Sequence, residues 1–436
     1  MGSAFSHTPA GAPALQRKSF VTAFAFTAVF IAALAVSLAL RLWLAYRHVG
    51  HVAAHRDAVP AAFADRIGLP AHRKAADYTV ARTRFGVCET LVETAVLVAL
   101  TLGGGLAALV AWTDVLPFGG MGRDLTLIVA VAVISGLVGL PFSYLQTFGI
   151  EVKFGFNRTT RALWLADLVK GILIGAALGL PLAALVLWLM RAAGPLWWIW
   201  AWAVWIAFQF LLLALYPTVI APLFNKFLPL PAGAARDAIE ALLVRCGFAN
   251  RGLYVMDGSR RSSHGNAFFT GFGRAKRIVF FDTLLERLAP DEVEAVLAHE
   301  LGHFRLRHVL KRMLWMAVFS LAFLALLAWL AASPWFYEGL GVPPAPDRPG
   351  VALLLFFLAL PVFTFVLAPL SASYSRRHEF EADAFAAQNA SAGSLVHALV
   401  KLYEDNAATL TPDPLYSAFH DSHPPAAVRI ARLEAV

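Results

Sequence analysis

Seven stretches of this chain stay apolar for longer than a soluble fold usually allows. They run Phe20 to Leu40, Leu91 to Trp112, Leu125 to Tyr144, Leu168 to Met190, Leu196 to Val219, Met313 to Trp335 and Val351 to Leu370. A helix needs about 20 apolar residues to cross the hydrocarbon core, and lipid tolerates only backbones that satisfy their own hydrogen bonds. Each run therefore predicts a membrane-spanning helix. Composition agrees, with 59% of residues hydrophobic and only 15% charged, which argues against a soluble multidomain chain. Arg17 and Lys18 precede the first run as they would in a signal peptide. Its apolar stretch exceeds an h-region, however, and no clear small-residue cleavage site follows, so it reads as a retained anchor.

Basic residues near span ends resist translocation. Arg47, Arg56, Arg66, Arg73, Lys74, Arg82 and Arg84 follow the first run, and Lys153, Arg158 and Arg161 follow the third. Both segments are expected in the cytoplasm. The nearly neutral loops around Asp114, Arg123 and Asp124 and around Glu338, Asp347 and Arg348 are expected on the far side. Seven spans then put the N-terminus outside and the C-terminus inside. The net charge of +8 suits cytoplasmic loops resting on anionic lipid. No basic tract interleaved with aromatics argues for a nucleic-acid partner. Cys88 and Cys246 fall on the reducing side and are expected as free thiols.

The chain thus divides into a five-helix membrane region (1–222), a polar piece (223–308), a helix pair (309–370) and a second polar piece (371–436). The two polar pieces lie on one side and can fold as one domain. Helical periodicity is expected over Arg236 to Cys246, and strands over Leu253 to Met256, Asn266 to Phe272 and Arg277 to Phe281, the last two joined by a basic turn around Gly273. Leu288 to Arg305 reads as a helix with Pro290 in its first turn and Asp291 and Glu292 complementing its dipole. No stop signal separates it from the sixth span, so its chemistry would sit at or just inside the membrane surface. The seventh span likewise runs past Pro369 into Tyr374 to Gln388.

His299-Glu300-Leu301-Gly302-His303 carries the chemistry. Positions four apart share a helix face, so both imidazoles can reach one zinc ion while Glu300 points at its water as general base. A catalytic zinc needs a third protein ligand and an open position. His308 does not complete a metzincin pattern, which would want glycine at Leu306 and histidine at Val309, and it reads as an interfacial histidine. The better candidate is Glu379, four residues before Asp383. One of these two can bind metal while the other accepts the outer N–H of a ligating histidine. Glu381 points elsewhere and reads as solvated, and His378, Arg376 and Arg377 as interfacial.

Arg82 to Gly86, Phe154-Gly155-Phe156-Asn157, Asn266 to Phe269, Arg277 to Leu284, the His299 motif, Ser375 to Arg377 with Glu379 to Asp383, and His423-Pro424 with Arg429 together resemble the type 1 CAAX prenyl protease family, in order along nearly the whole chain. The resemblance implies a mainly α fold of seven transmembrane helices forming a chamber, capped by a gluzincin-like α+β zinc protease domain. It implies Glu379 as third zinc ligand and Asn266, Ala267 and Phe268 as an edge strand on which extended substrate lies. It also implies that His423 and Arg429 approach the metal, where a donor would stabilise an oxyanion. Glu89, Glu93, Lys170 and Gln209 would line a watery interior.

The expected function is a membrane zinc endopeptidase, acting as a monomer with one catalytic Zn2+ on peptide or lipidated protein substrates, in contact with membrane lipid. Alanine- and arginine-rich composition hints at a high-GC bacterium and an inner-membrane location. That source would lack prenylated substrates and favour a quality-control protease of the HtpX type as runner-up. A transporter or scaffold with a vestigial metal-binding domain is the rival from another class. Retention of both histidines, the base, the third ligand and its neighbour speaks against decay.

Overall fold

The structure, a computed structural model, describes residues 21–248, 252–270 and 277–435. Its first half is a series of long helices: α1 (Ala23–Ala54), α2 (Leu69–Leu100), α3 (Gly105–Asp114), α4 (Gly120–Leu145), α5 (Arg161–Ala192) and α6 (Trp197–Leu215). The short α7 (Ala221–Phe224) leads out of the bundle. Among the described residues six helices are long and apolar enough to cross a bilayer, or seven if α2 and α3, bent by 51°, form one broken span. The expected Leu91 to Trp112 span is this broken one. Its break includes Gly104, whose φ of +76° is a left-handed conformation that glycine adopts without a Cβ penalty.

α1, α2 and α5 each have 32 residues, or roughly 48 Å at 1.5 Å per residue, against about 30 Å of hydrocarbon. They therefore overshoot the bilayer. Arg73, Lys74, Arg82 and Arg84, expected in a loop, sit instead on the overhanging turns of α2. Large apolar side chains such as Leu137, Ile172 and Leu173 are exposed, which suits helices set in lipid. Of the four polar residues expected to line a watery interior, Glu89 lies on a cavity wall. Lys170 instead donates to the Leu223 carbonyl at 2.8 Å, and Gln209 to Met316 Sδ at 3.3 Å.

At the start of α4, Asp124 is fully buried. Its carboxylate accepts from Arg191 at 2.5 Å, Arg348 at 2.7 Å and the Gly350 N–H at 3.3 Å, and Arg348 also pairs with Asp114. The two loops read as nearly neutral thus meet at one end. A π-helical turn, Gln146–Glu151, closes the other end of α4. There Glu151 accepts from Tyr78 Oη at 2.7 Å and Gln146 at 2.8 Å. The following Phe154 to Asn157 turn docks the polar domain: Phe156 O accepts the Ser263 N–H, and Asn157 pairs with Ser262.

The polar domain opens with β1 (Phe227–Pro229) and α8 (Ala234–Arg245), followed by β2 (Leu253–Met256), β3 (Ala267–Thr270) and β4 (Arg277–Phe281) in a sheet of order β1-β2-β4-β3. β1 was not expected. Three residues ending in proline carry no alternation signal, and only an edge position tolerates that proline. β3 corresponds to the expected strand as far as Thr270, and the basic turn around Gly273 lies outside the described residues. Among the described residues β3 pairs with β4 alone, antiparallel, with Ala267 opposite Phe280. It is therefore an edge strand.

Then come α9 (Asp282–Arg287), α10 (Pro290–Arg305), α11 (His308–Ala331), α12 (Pro334–Glu338), α13 (Pro349–Thr364), α14 (Ala368–Asn389), α15 (Ala392–Asp405), α16 (Pro414–His420) and α17 (Ala426–Leu433). α13 and α14 continue into one another across Pro369, as the sequence suggests. α10 and α11 do not. Arg307 adopts a left-handed φ of +57°, which ends the helix and starts the sixth span in a new direction. At its other end α10 begins with Pro290, and Glu292 accepts the Ala289 N–H and the Lys401 ammonium, each at 2.7 Å.

Candidate active site

α10 and α14 bring the chemistry together because Gly302 lets them touch. A Cβ on Gly302 would fall 3.0 Å from Ala382 Cα and 3.1 Å from Phe385 Cβ. At this close approach three ligand-bearing side chains converge. His299 Nε2 lies 3.2 Å from His303 Nε2 and 3.4 Å from Glu379 Oε2, and His303 Nε2 lies 3.3 Å from Glu379 Oε1. Donors on a tetrahedron with bonds of about 2.0–2.1 Å are separated by about 3.3 Å. The two imidazole nitrogens are therefore spaced as two corners of a four-coordinate site, and Glu379 turns one carboxylate oxygen to each of them, with one ligand atom from each residue within 4.8 Å of the others.

The partners of these residues support the same arrangement. His299 Nδ1 lies 2.8 Å from Asp383 Oδ1, so its proton sits there and Nε2 keeps a lone pair. Asp383 is held in turn by Arg429, through Nη2 at 2.6 Å and Nε at 2.9 Å. Burial disfavours the His299 imidazolium, but the Asp383 and Glu379 carboxylates outweigh it and push the pKa up to about 9. The centre thus calls for positive charge, which a divalent cation would supply. Burial raises the Glu300 pKa against the opposing influence of His299 and His303.

His423, largely exposed, sets Nδ1 2.7 Å from Glu379 Oε2. Its loop is pinned from α14 by Arg376, which donates to Asp421 O at 2.9 Å and Ser417 O at 3.2 Å. Arg376 is thus a structural anchor rather than an interfacial charge. Arg429 is buried and spends Nε and Nη2 on Asp383, leaving Nη1 4.0 Å from Glu379 Oε2. One cavity of about 1080 Å3 gathers Glu300, His299, His423 and Arg429 with Asn266 and Ala267, and continues between Arg41 and His48 on α1 and Arg82 and Glu89 on α2. Phe268 turns instead to Phe281, with ring centroids 6.3 Å apart, as alternation along a strand requires.

Comparison with known proteins matches two families along the chain. Residues 48–226 match the family described as CAAX prenyl protease N-terminal, five membrane helices, and residues 229–436 match peptidase family M48. The CAAX prenyl protease 1 homolog of Oryza sativa subsp. japonica is 41% identical over 315 residues, covering 72% of this chain and 73% of the relative. The chain belongs to the CAAX prenyl protease 1 group of peptidase family M48. CAAX prenyl protease 1 of Saccharomyces cerevisiae is 36% identical over 323 residues, covering 70% of each chain. The crystal structure of S. mikatae Ste24p superposes with a TM-score of 0.87 at 29% identity, over 94% of this chain and 99% of that one. This M48 protein is accordingly a multi-pass membrane metalloendopeptidase. Its relatives named here are eukaryotic and lend no support to a bacterial source.

Three residues near the centre of this M48 protease were misread from sequence. His308 is 1% exposed rather than interfacial, and its Nδ1 lies 2.9 Å from His303 Nδ1. Glu381, read as solvated, lies with Oε2 2.9 Å from His308 Nε2. His378, also read as interfacial, is buried with its ring parallel to that of His308. Straight-helix geometry hid all three, because it carries His308 past Arg307 onto the wrong face.

Proposed function

We propose that this protease hydrolyses peptide bonds near the C-terminus of CAAX-type, prenylated proteins, using one zinc ion held by His299, His303 and Glu379. The observation that carries the reading is the convergence of His299, His303 and Glu379 ligand atoms within 4.8 Å of one another, next to a cavity lined by His299, Glu300 and the Asn266 and Ala267 edge of the sheet. A zinc ion there would polarise the scissile carbonyl and lower the pKa of a water molecule to about 7.

The protein's own residues do the rest. Glu300 takes the proton of the attacking water and delivers it to the leaving amine nitrogen. Asp383, fixed by Arg429, holds His299 with its proton on Nδ1. His423 and the free Nη1 of Arg429 donate to the oxygen that gains negative charge in the tetrahedral intermediate. Asn266 to Phe268 offer main-chain groups to an extended substrate, irrespective of its side chains.

The polar domain functions on the cytoplasmic side, with the N-terminus outside. In support, the basic segments lie at its end of the bundle, where Arg47 pairs with Asp413 and the Arg158 N–H bonds to Arg261 O, and basic residues mark the cytoplasmic face. The enzyme acts as a monomer against membrane lipid.

The test is Glu300→Ala in detergent. It is expected to keep zinc and fold and to lose cleavage of a farnesylated peptide, and undiminished cleavage rejects the mechanism. Comparing that peptide with its unprenylated form separates CAAX processing from quality control of membrane proteins, which would cleave both alike.

A further inference from the structure

The two histidines of the motif are oriented by different chemistry. On His299 the nitrogen facing away from the centre meets a carboxylate, Asp383. On His303 it meets another imidazole: Nδ1 of His308 lies at 2.9 Å, and that ring's Nε2 lies 2.9 Å from Glu381 Oε2. Continued as a straight helix, α10 would carry residue 308 about 140° around the axis from residue 303. The left-handed Arg307 cancels that rotation, and burial at 1% exposure fixes the result.

The hydrogen bonds can run only one way. If His303 offers Nε2 to a metal, its proton sits on Nδ1 and is donated to His308 Nδ1, which must be the unprotonated nitrogen. His308 then carries its proton on Nε2 and donates it to Glu381. That carboxylate is anchored in turn by Arg377 at 3.4 Å and Lys311 at 3.8 Å. We propose that His308 and Glu381 are positioning residues that hold His303 in the tautomer and orientation a metal ligand needs. The inference rests on the assignment of His303 as a ligand in the proposed function.

His308, His378 and Glu381 also bring ligand atoms within 4.8 Å of one another, and His378 Nδ1 is buried without a hydrogen-bond partner. A second metal there is disfavoured by ring geometry. The His308 and His378 rings are stacked 4.0 Å apart and 7° from parallel, so they share no point near both ring planes, where imidazole lone pairs bind metal.

The experiment uses the full-length zinc-loaded protein in detergent and follows zinc loss to a chelator, zinc per chain, and the visible spectrum of the cobalt(II)-substituted form. His308→Phe preserves the stack on His378 but removes the acceptor, and should weaken zinc retention about 10–100-fold and shift the cobalt bands. His308→Asn, with an acceptor where Nδ1 was, should recover most of that loss. Glu381→Ala should give a smaller loss of the same sign. Parental zinc release in both His308→Phe and Glu381→Ala overturns the proposal. If His308→Phe does not fold, Glu381→Ala decides alone: faster release supports the proposal and parental release overturns it. Two zinc ions per chain, one of them lost in His378→Ala, would overturn it in favour of a second metal site. Retention of zinc by His303→Ala would strike the ligand assignment itself, a separate failure.

Discussion

At the start of α4, Asp124 is fully buried and its charge is answered on the spot. Arg191 and Arg348 reach it, Arg348 also holds Asp114, and the paired acids and bases balance. Beyond the other end of the bundle, Glu379 is 3% exposed and meets imidazoles, with Arg429 no nearer than 4.0 Å. Glu379 and Asp383 share Arg429, which bonds Asp383 and stays 4.0 Å from Glu379. Both clusters bury carboxylates, but the second leaves a deficit of positive charge, which shows in the His299 pKa pushed up to about 9. A balanced cluster fastens helix ends together. An unbalanced one costs stability until its cation arrives, and the price is tolerable because binding the cation returns it.

The contrast can be broken by substitution. Glu379→Ala should have the largest effect, lowering zinc affinity by about 10³-fold or more, roughly 4 kcal/mol, and abolishing cleavage with it. Metal analysis and a peptide assay read both, and retained cleavage would mean that the deficit is not the metal site. Asp124→Asn leaves two arginines facing a neutral amide and should destabilise the fold by about 3–5 kcal/mol. Thermal unfolding in detergent measures this, with zinc per chain unchanged in the folded protein, and parallel loss of zinc would erase the distinction between the two ends. Gly302→Ala pushes α10 from α14 and should cost about 1–3 kcal/mol, along with weaker zinc retention in chelator competition. Glu240→Gln, which removes an exposed ion pair with Arg236, should shift unfolding by no more than about 0.5 kcal/mol and leave metal and activity alone.

Much of this was legible in the sequence, for reasons that differ by region. Spans declare themselves through length and apolarity, and the His299 motif through a period of four on one helix. Spacing alone put Glu379 and Asp383 on one helix face as candidates, and the resemblance to the CAAX prenyl proteases named Glu379 as the third ligand. What escaped depended on backbone turns or on long-range meetings. The bend between α2 and α3 turns on Gly104, and His308 is redirected by Arg307, a residue with no intrinsic preference for positive φ. Asp124, Arg191 and Arg348 come from three segments far apart in the chain, and nothing local marks them as partners. β1 is too short to show a period at all.

If substrate docks along β3 as proposed, the strand's place at the sheet margin bears on which bond is cut. Main-chain pairing looks the same after a shift of two residues, about 6.8 Å, so a peptide lying there can settle in several registers with little difference in energy. Side-chain preference along the strand cannot then choose the cleavage point. Under the proposed function the choice would fall to groups outside the strand, among them the lining of the hollow of about 1080 Å3 that Glu300 shares with Arg41 and Arg82.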